Sequence, residues 1–261
     1  MSKPKIGLSM LYSISEPFSK MVKRLSRVET RYVEVLDEGL HALNKKRVAT
    51  LNQAAKSRGT QFTVHAPFAD MNIASPSKPM LTATLKRLRE SMAYASALDA
   101  KLWVFHPGSK TGISMFYPGE DWKQNIKSIR ALHKTAEEYG LNTAIENLPE
   151  KYGFIMKTPE DFTKFYKETG LNDVGIALDL GHANLEGQTE RFLRNMPDKI
   201  VHIHVSDNMG ENDQHLGIGY GKIDWQRFAE TLRAIDYDKT VMIECVENVE
   251  ESLQKLRQLL A

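Results

Sequence analysis

The stretch VGIALDLGHAN, residues 174–184, holds the pattern that decides the fold. It begins with an apolar, partly β-branched run of the kind that forms a strand buried on both faces. Asp179 and His182 follow where this run ends, just where a strand would turn into its loop. A buried strand that leads into a loop and then a helix is the repeating unit of parallel α/β proteins. The stretch therefore predicts one β/α unit with polar, metal-binding side chains at the carboxyl end of its strand.

Seven further apolar runs share this arrangement. They are KIGLSM (5–10), YVEVLD (32–37), FTVHAPF (62–68), LWVFHPG (102–108), NTAIENL (142–148), IVHIHVSD (200–207) and TVMIECV (240–246). Segments with helical spacing lie between the runs, and one of them carries the apolar stripe Leu81, Leu85, Leu88, Met92 and Ala95. Strand and helix thus alternate eight times, which predicts an α/β protein with a single (β/α)8 TIM barrel domain over residues 1–261.

The composition argues against several classes of protein. The formal net charge is only +2, so no strong long-range field draws the chain to nucleic acid or to a membrane surface. No apolar run approaches the length of about 18 residues that a membrane span needs, and the start of the chain is interpreted as a first strand and not as a signal peptide. The single cysteine, Cys245, excludes an internal disulfide. We therefore expect a cytoplasmic protein.

Residues that bind metals concentrate at the ends of the apolar runs. They comprise six of the eight histidines, His65, His106, His182, His202, His204 and His215, and the acids Glu146, Asp179, Asp213 and Glu244. In a TIM barrel all strands end at one mouth, which is also where the active site lies. Neutral imidazoles and carboxylates are ligands for divalent metals. The pattern predicts a shared polynuclear metal site at that mouth.

Each residue taken alone could have a structural role instead of binding metal, since one buried histidine or glutamate in a barrel can simply be a hydrogen-bonded polar group. The whole set is harder to explain in that way. Burying so many ionisable groups without a metal would cost several kcal/mol each unless all were paired. The two remaining histidines, His41 and His133, are expected at the surface.

The motifs VHAPF, FHPGS, IEN, LDLGHAN, HIHVSDN, DQHLGIGYGKIDW and IEC together resemble the xylose-isomerase-like barrel superfamily. This superfamily holds sugar and sugar-phosphate isomerases and epimerases as well as endonuclease IV. The resemblance implies two ligand sets. The epimerase set, for one metal, matches Glu146, Asp179, His204 and Glu244, with a substrate-binding histidine at His182. The endonuclease IV set, for three zinc ions, matches His65, His106, Glu146, Asp179, His182, His204, Asp213, His215 and Glu244.

Other features favour the epimerase branch. They are the HIH motif, LDLGHAN and IENLP. The resemblance then implies a metal-dependent isomerase or epimerase of a small sugar, polyol or sugar phosphate, with one to three divalent ions (Zn, Mn, Mg or Co). Glu146 and Glu244 would transfer the proton, and His182 would hold a substrate hydroxyl. We also expect His202, Phe68 and Asn208 to contact the substrate.

The alternative is a zinc-dependent endonuclease that cleaves the phosphodiester at an abasic DNA site. In its favour, FADMNIASP is similar to the loop that endonuclease IV inserts into DNA, and Phe68 stands where a wedging aromatic side chain sits. Against it, the loops after the sixth and seventh strands are poor in Lys and Arg, whereas a DNA-binding mouth needs cations. A small-molecule partner is therefore favoured over DNA, and the oligomeric state stays open.

Overall fold

In the computed structural model, which describes residues 3–261, eight parallel strands close into a barrel. Each strand pairs with the next one in the chain, and the last pairs with the first. The strands are β1 (Lys5–Ser9), β2 (Tyr32–Leu36), β3 (Gln61–His65), β4 (Leu102–Phe105), β5 (Asn142–Glu146), β6 (Gly175–Asp179), β7 (Ile200–Val205) and β8 (Thr240–Ile243). The predicted (β/α)8 TIM barrel is confirmed.

Helices connect the strands and surround the barrel. They are α1 (Phe18–Leu25), α2 (Lys45–Lys56), α3 (Lys78–Ala97), α4 (Glu120–Glu138), α5 (Pro159–Thr169), α6 (Leu180–Leu185), α7 (Thr189–Asn195), α8 (Trp225–Ala234) and α9 (Val249–Leu259). Each connection between strands carries one helix, except that β6 is followed by both α6 and α7. In the part of the chain that the structure describes, no helix is both long enough and apolar enough to cross a membrane.

An apolar layer fills the barrel interior below its mouth. Leu102 and Val104 on β4 pack there with Ala144 on β5 and Ala177 on β6. Because side chains alternate along a strand, the residue two places beyond each of these alanines shares its face. Those residues are Glu146 and Asp179, which end their strands. The apolar layer is thus the floor on which the polar side chains stand.

A bulge between β6 and β7 sets which β7 side chains face the mouth. Ile176 pairs with Ile200, but Ala177 pairs with His202, so the register shifts by one residue. A Cβ on Gly175 would overlap with the Val201 side chain at this point, which explains the glycine. The shift brings His204 opposite Asp179.

The expectation that His41 lies at the surface is wrong, because only 1% of it is exposed. It belongs to a short 3-10 turn, Gly39–His41, after β2. Its Nε2 contacts the backbone oxygen of Glu16 at 2.9 Å, and the ring of Phe18 packs edge-on against it. His133 is also mostly covered, with a 13% exposed side chain that contacts Asp173.

Candidate metal centre at the carboxyl end of the barrel

All nine residues of the longer expected ligand set gather at the mouth. Four of them occupy strands: His65, Glu146, Asp179 and His204. Two directly follow a strand: His106 after β4 and Glu244 after β8. His182 lies in the first turn of α6, while Asp213 and His215 lie on the long loop between β7 and α8. Their potential ligand atoms fall into three groups, and within each group these atoms lie within 4.8 Å of one another.

Glu146 belongs to two of the groups and contacts four histidines. Its Oε2 lies 3.1 Å from His65 Nε2 and 3.3 Å from His106 Nε2. Its Oε1 lies 3.4 Å from His182 Nδ1 and 3.6 Å from His204 Nδ1. The carboxylate is 2% exposed, so these contacts form in surroundings almost free of water. Glu146 would therefore be able to bind an ion in either of the two groups.

The second group joins Glu146 to Asp179, His204 and Glu244, and all four residues are buried. Nδ1 of His204 lies 3.3 Å from Oε2 of Glu244. The Asp179 carboxylate accepts a hydrogen bond from the backbone nitrogen of His182 through Oδ1, which leaves Oδ2 without a partner. This group gathers three carboxylates and one imidazole from four different strand ends.

In the third group, Asp213 lies between two histidines. Its Oδ2 is 3.1 Å from Nε2 of His182 and 3.2 Å from Nε2 of His215. The loop that carries Asp213 and His215 is held by Asp207, whose buried carboxylate accepts hydrogen bonds from four donors. These are the backbone nitrogens of Asn208, Gly219 and Ile223 and the indole nitrogen of Trp225.

Three of the histidines have the same orientation. His65, His182 and His215 each contact a backbone carbonyl through Nδ1 and direct Nε2 towards a carboxylate of the site. The carbonyls belong to Ala66, Asn147 and Glu244, at 2.8, 3.0 and 2.9 Å. A carbonyl only accepts, so Nδ1 carries a proton, and in the neutral imidazole Nε2 then keeps its lone pair. This is the tautomer that an Nε2 metal ligand needs.

The protonation equilibria of the two glutamates are shifted in opposite directions. Burial raises the pKa of Glu244 to about 7, with a further contribution from the charge of Glu146 and an opposing one from His204. Burial acts in the same direction on Glu146, but the neighbouring His106 and His204 outweigh it and hold its pKa well below the usual range. Without a bound ion, Glu146 is thus ionised near neutral pH, while Glu244 is partly protonated.

The donor set fits divalent metal ions. Two ligands that each lie about 2.1 Å from a tetrahedral ion are about 3.4 Å apart, similar to the contacts within these groups. In addition, Asp179 Oδ2, His204 Nδ1 and Asp213 Oδ1 are buried in the described structure without a hydrogen-bond partner. Unpartnered buried polar atoms cost free energy, and an ion between them would remove that cost.

The three expected substrate contacts differ in position. Phe68 is half-buried, and its ring lies 5.4 Å from that of His65 and 5.5 Å from that of His106, so it forms a wall of the mouth. His202 has no exposed surface, and Asn208 has none either. Asn208 donates to the Gly181 carbonyl and accepts from two other groups. The geometry of His202 and Asn208 favours support of the site over contact with substrate.

Glu34 and Asn147 are buried polar residues at this site that were not predicted from the sequence. Glu34, in the middle of β2, faces His202 and His204 from below. An acid between Val33 and Val35, in the middle of the run YVEVLD, was the available signal. Asn147 bonds to both the backbone nitrogen and the carbonyl of Asp179, and so ties the end of β5 to the end of β6. Nothing in the sequence distinguished Asn147 from an ordinary loop asparagine.

Comparison with known proteins assigns the chain to a family. The model of the xylose isomerase-like TIM barrel matches residues 22–260. An uncharacterised protein of Methanocaldococcus jannaschii is 31% identical over 92% of this chain and 83% of its own length. A D-psicose 3-epimerase of Ruminiclostridium cellulolyticum is 25% identical over 85% of this chain and 76% of its own. A probable endonuclease 4 of Carboxydothermus hydrogenoformans is 26% identical over 76% of this chain and 74% of its own.

Solved structures show the same fold. A D-tagatose 3-epimerase-like protein superposes with a TM-score of 0.88 at 29% identity, covering 98% of this chain and 100% of that one. A D-psicose 3-epimerase crystallised in the presence of D-fructose superposes with a TM-score of 0.77 at 19% identity, covering 98% and 96%.

Proposed function

Because the chain belongs to the xylose isomerase-like TIM barrel family, we propose that it is a metal-dependent isomerase or epimerase of a small sugar. Within this class, inversion at carbon 3 of a ketose is the favoured reaction, since D-psicose 3-epimerases are among its relatives. One observation carries the proposal. The carboxylates of Glu146 and Glu244 both lie near His204 Nδ1, at 3.6 and 3.3 Å, and the pKa values of the two glutamates are shifted apart.

Two carboxyl groups with different proton affinities are what a proton transfer at carbon requires. One carboxylate removes the proton from carbon 3, and the electron pair of that C–H bond moves toward the neighbouring carbonyl. The other carboxyl group returns a proton to the opposite face of the same carbon. The result is the epimer, with no net change in atoms. The buried position of both groups excludes water that would compete for these protons.

The metal would be held by Glu146, Asp179, His204 and Glu244. When bound, it supplies electrostatic stabilisation for the negative charge that develops on the substrate oxygens. His182 holds a substrate hydroxyl from the adjacent group. His65 and His106 in one group, and Asp213 and His215 in the other, would complete further metal sites, or would line the substrate pocket if a single ion binds.

A panel of ketohexoses and ketopentoses, incubated with metal-loaded protein, tests the proposal. We expect the carbon-3 epimer of at least one ketose to accumulate, as measured by NMR. This activity should be lost on chelation and should return when Mn²⁺ or Co²⁺ is added. No conversion of any member of the panel by protein with bound metal would contradict it.

A second function is favoured by one observation. Beyond the four-residue group, both further groups of potential ligands are complete, His65–His106–Glu146 and His182–Asp213–His215. A set of this kind could hold the three zinc ions of an abasic-site endonuclease, whose ions activate a water and stabilise the leaving oxygen. Nicking of an abasic duplex by zinc-loaded protein, without turnover of any ketose, would replace the first proposal by this one.

A further inference from the structure

Glu34 is a buried acid below the candidate metal centre. It projects from the middle of β2 into the barrel interior, whereas Val33 and Val35 on either side of it point the other way. Its side chain has no exposed surface. Oε1 lies 3.0 Å from Nε2 of His204, and Oε2 lies 3.2 Å from Nε2 of His202. Glu34 thus reaches across the barrel from β2 to β7.

No Lys or Arg compensates this charge. Among the described residues, the only basic side chains with a nitrogen within 4.0 Å of the Glu34 carboxylate are the two imidazoles. Neither of its oxygens has a partner in line for a full hydrogen bond, and Nε2 of each histidine is also without one. Such an acid is costly for the stability of the fold, so its presence calls for another reason.

The orientation of His204 suggests that reason. His65, His182 and His215 are held through Nδ1 by backbone carbonyls and direct Nε2 into the site. His204 is reversed, with Nδ1 towards Glu146 and Glu244 and Nε2 towards Glu34. Glu34 therefore occupies, for His204, the position that a backbone carbonyl occupies for the other three histidines.

We propose that Glu34 is a positioning residue that accepts the Nε2 proton of His204 in a hydrogen bond and so keeps the Nδ1 lone pair directed at the metal. This inference rests on the proposed metal site of the previous subsection. A carboxylate behind an imidazole fixes the tautomer and orientation of the ring and makes it a stronger ligand. The distances of 3.0 and 3.2 Å between the carboxylate oxygens and the two Nε2 atoms lie within the range of N–H···O hydrogen bonds.

His202 and Thr240 hold Glu34 in place. Nδ1 of His202 lies 2.7 Å from the Thr240 hydroxyl, and the two residues are paired in the register of β7 and β8. If the hydroxyl donates to Nδ1, Nε2 carries the proton and faces Oε2 of Glu34. The contacts Thr240–His202–Glu34–His204 then lead from β8 to the metal centre, with Glu34 at 3.2 and 3.0 Å from the two imidazoles. It gives the fully buried His202 a function without any contact to substrate.

Two substitutions separate the charge of Glu34 from its hydrogen bonds. Glu34→Gln keeps the shape of the side chain and leaves one acceptor oxygen for His204. The new amide group can face His202, which then donates from Nδ1 to the Thr240 oxygen and accepts from the amide through Nε2. Glu34→Leu removes acceptor and charge together. Asp37→Asn is the matched control, since Asp37 follows the same strand and is equally buried, and its carboxylate bonds to Leu43 and Arg87 and not to a residue of the ligand set.

Binding of Co²⁺, followed by its visible absorption, measures the effect without any need for turnover. We expect the dissociation constant of the tightest site to rise about tenfold in Glu34→Gln and up to about 100-fold in Glu34→Leu, as is usual for loss of such a partner. The ligand-field bands of Co²⁺ should shift in both variants. Asp37→Asn should lower the melting temperature and leave Co²⁺ affinity unchanged.

Nitrogen-15 NMR of histidine-labelled protein loaded with Zn²⁺ provides the direct readout. His204 should show the Nε2–H tautomer in the wild type. Wild-type Co²⁺ affinity and spectra in both Glu34 variants, or an Nδ1–H tautomer of His204 in the wild type, would overturn the inference. The inference would also be overturned if the Glu34 variants lost one bound ion and kept wild-type affinity at the other sites, because that ion would then lie among Glu34, His202 and His204. If the wild type binds no metal at all, it is the proposed function that fails.

Discussion

At the level of single residues, Glu146 and Glu244 carry the proposed chemistry. Glu146→Gln and Glu244→Gln keep the shape of each side chain and remove its ability to take up a proton. We expect the fold to persist and kcat to fall by about 10²-fold or more in each variant, the usual cost of losing a general base. Steady-state kinetics on metal-saturated protein, with circular dichroism as a control of folding, measure this. Lower stability with unchanged activity per folded molecule would instead indicate purely structural carboxylates.

His41 makes a pH-dependent contribution to stability away from the metal centre. Burial lowers the pKa of His41, with Arg47 adding to the effect and the Glu16 carbonyl opposing it. The folded protein thus binds this proton less readily than the unfolded chain does. The contribution of neutral His41 to the free energy of unfolding is therefore complete above the ordinary pKa of 6.5 and is lost as the pH falls below that value. Urea denaturation between pH 7.5 and 5 should show a shallower loss of stability in His41→Gln than in the wild type. Parallel curves would contradict this origin.

At the level of elements, the strands and their order were predictable, because eight apolar runs separated by helical segments admit few other folds. The expected runs extend up to three residues past the strands, since apolar residues such as Ala66 and Phe68 continue into the loops. His65, Glu146 and Asp179 were correctly placed at strand ends. The bulge opposite Gly175 was not predictable, because it depends on how two strands pack. Glu34 was missed for the same reason, since its partners lie on β7, on the other side of the barrel interior.

The loop between β7 and α8 depends on one carboxylate. Asp207 accepts four hydrogen bonds, and a Cβ at Gly221 would overlap with it, so the loop is packed tightly around this side chain. Asp207→Asn should lower the free energy of unfolding by about 2 kcal/mol, because charged acceptors contribute more than neutral ones. Metal bound by Asp213 and His215 should be lost in parallel, as measured by elemental analysis. The exposed Asp198→Asn is the control, with a change within about 0.5 kcal/mol. Equal stability of the two variants would show that Asp207 does not organise the loop.

At the level of the whole molecule, the charge distribution separates the two functions. With a net charge of +2 and loops at the mouth that contain few cations, the protein should bind duplex DNA no more tightly than about 10⁻⁴ to 10⁻⁶ M at physiological salt. An abasic site should improve this little. Fluorescence anisotropy across a salt series, for wild type and Phe68→Ala, measures it. Nanomolar affinity for the abasic duplex that is lost in Phe68→Ala would favour the endonuclease, since a wedging side chain acts in this way.

The central claim is that a metal-bound pair of carboxylates moves a proton at a sugar carbon. Incubation of metal-loaded protein with a ketose in D₂O tests it most directly, because the carboxyl group that returns a proton to the carbon carries deuterium once it has exchanged with solvent between turnovers. We expect deuterium to appear at carbon 3 of at least one ketose in a panel. Chelation of the metal and the substitution Glu146→Gln should each abolish this incorporation. Retention of hydrogen at every carbon of every ketose, in protein shown to contain its metal, would contradict it.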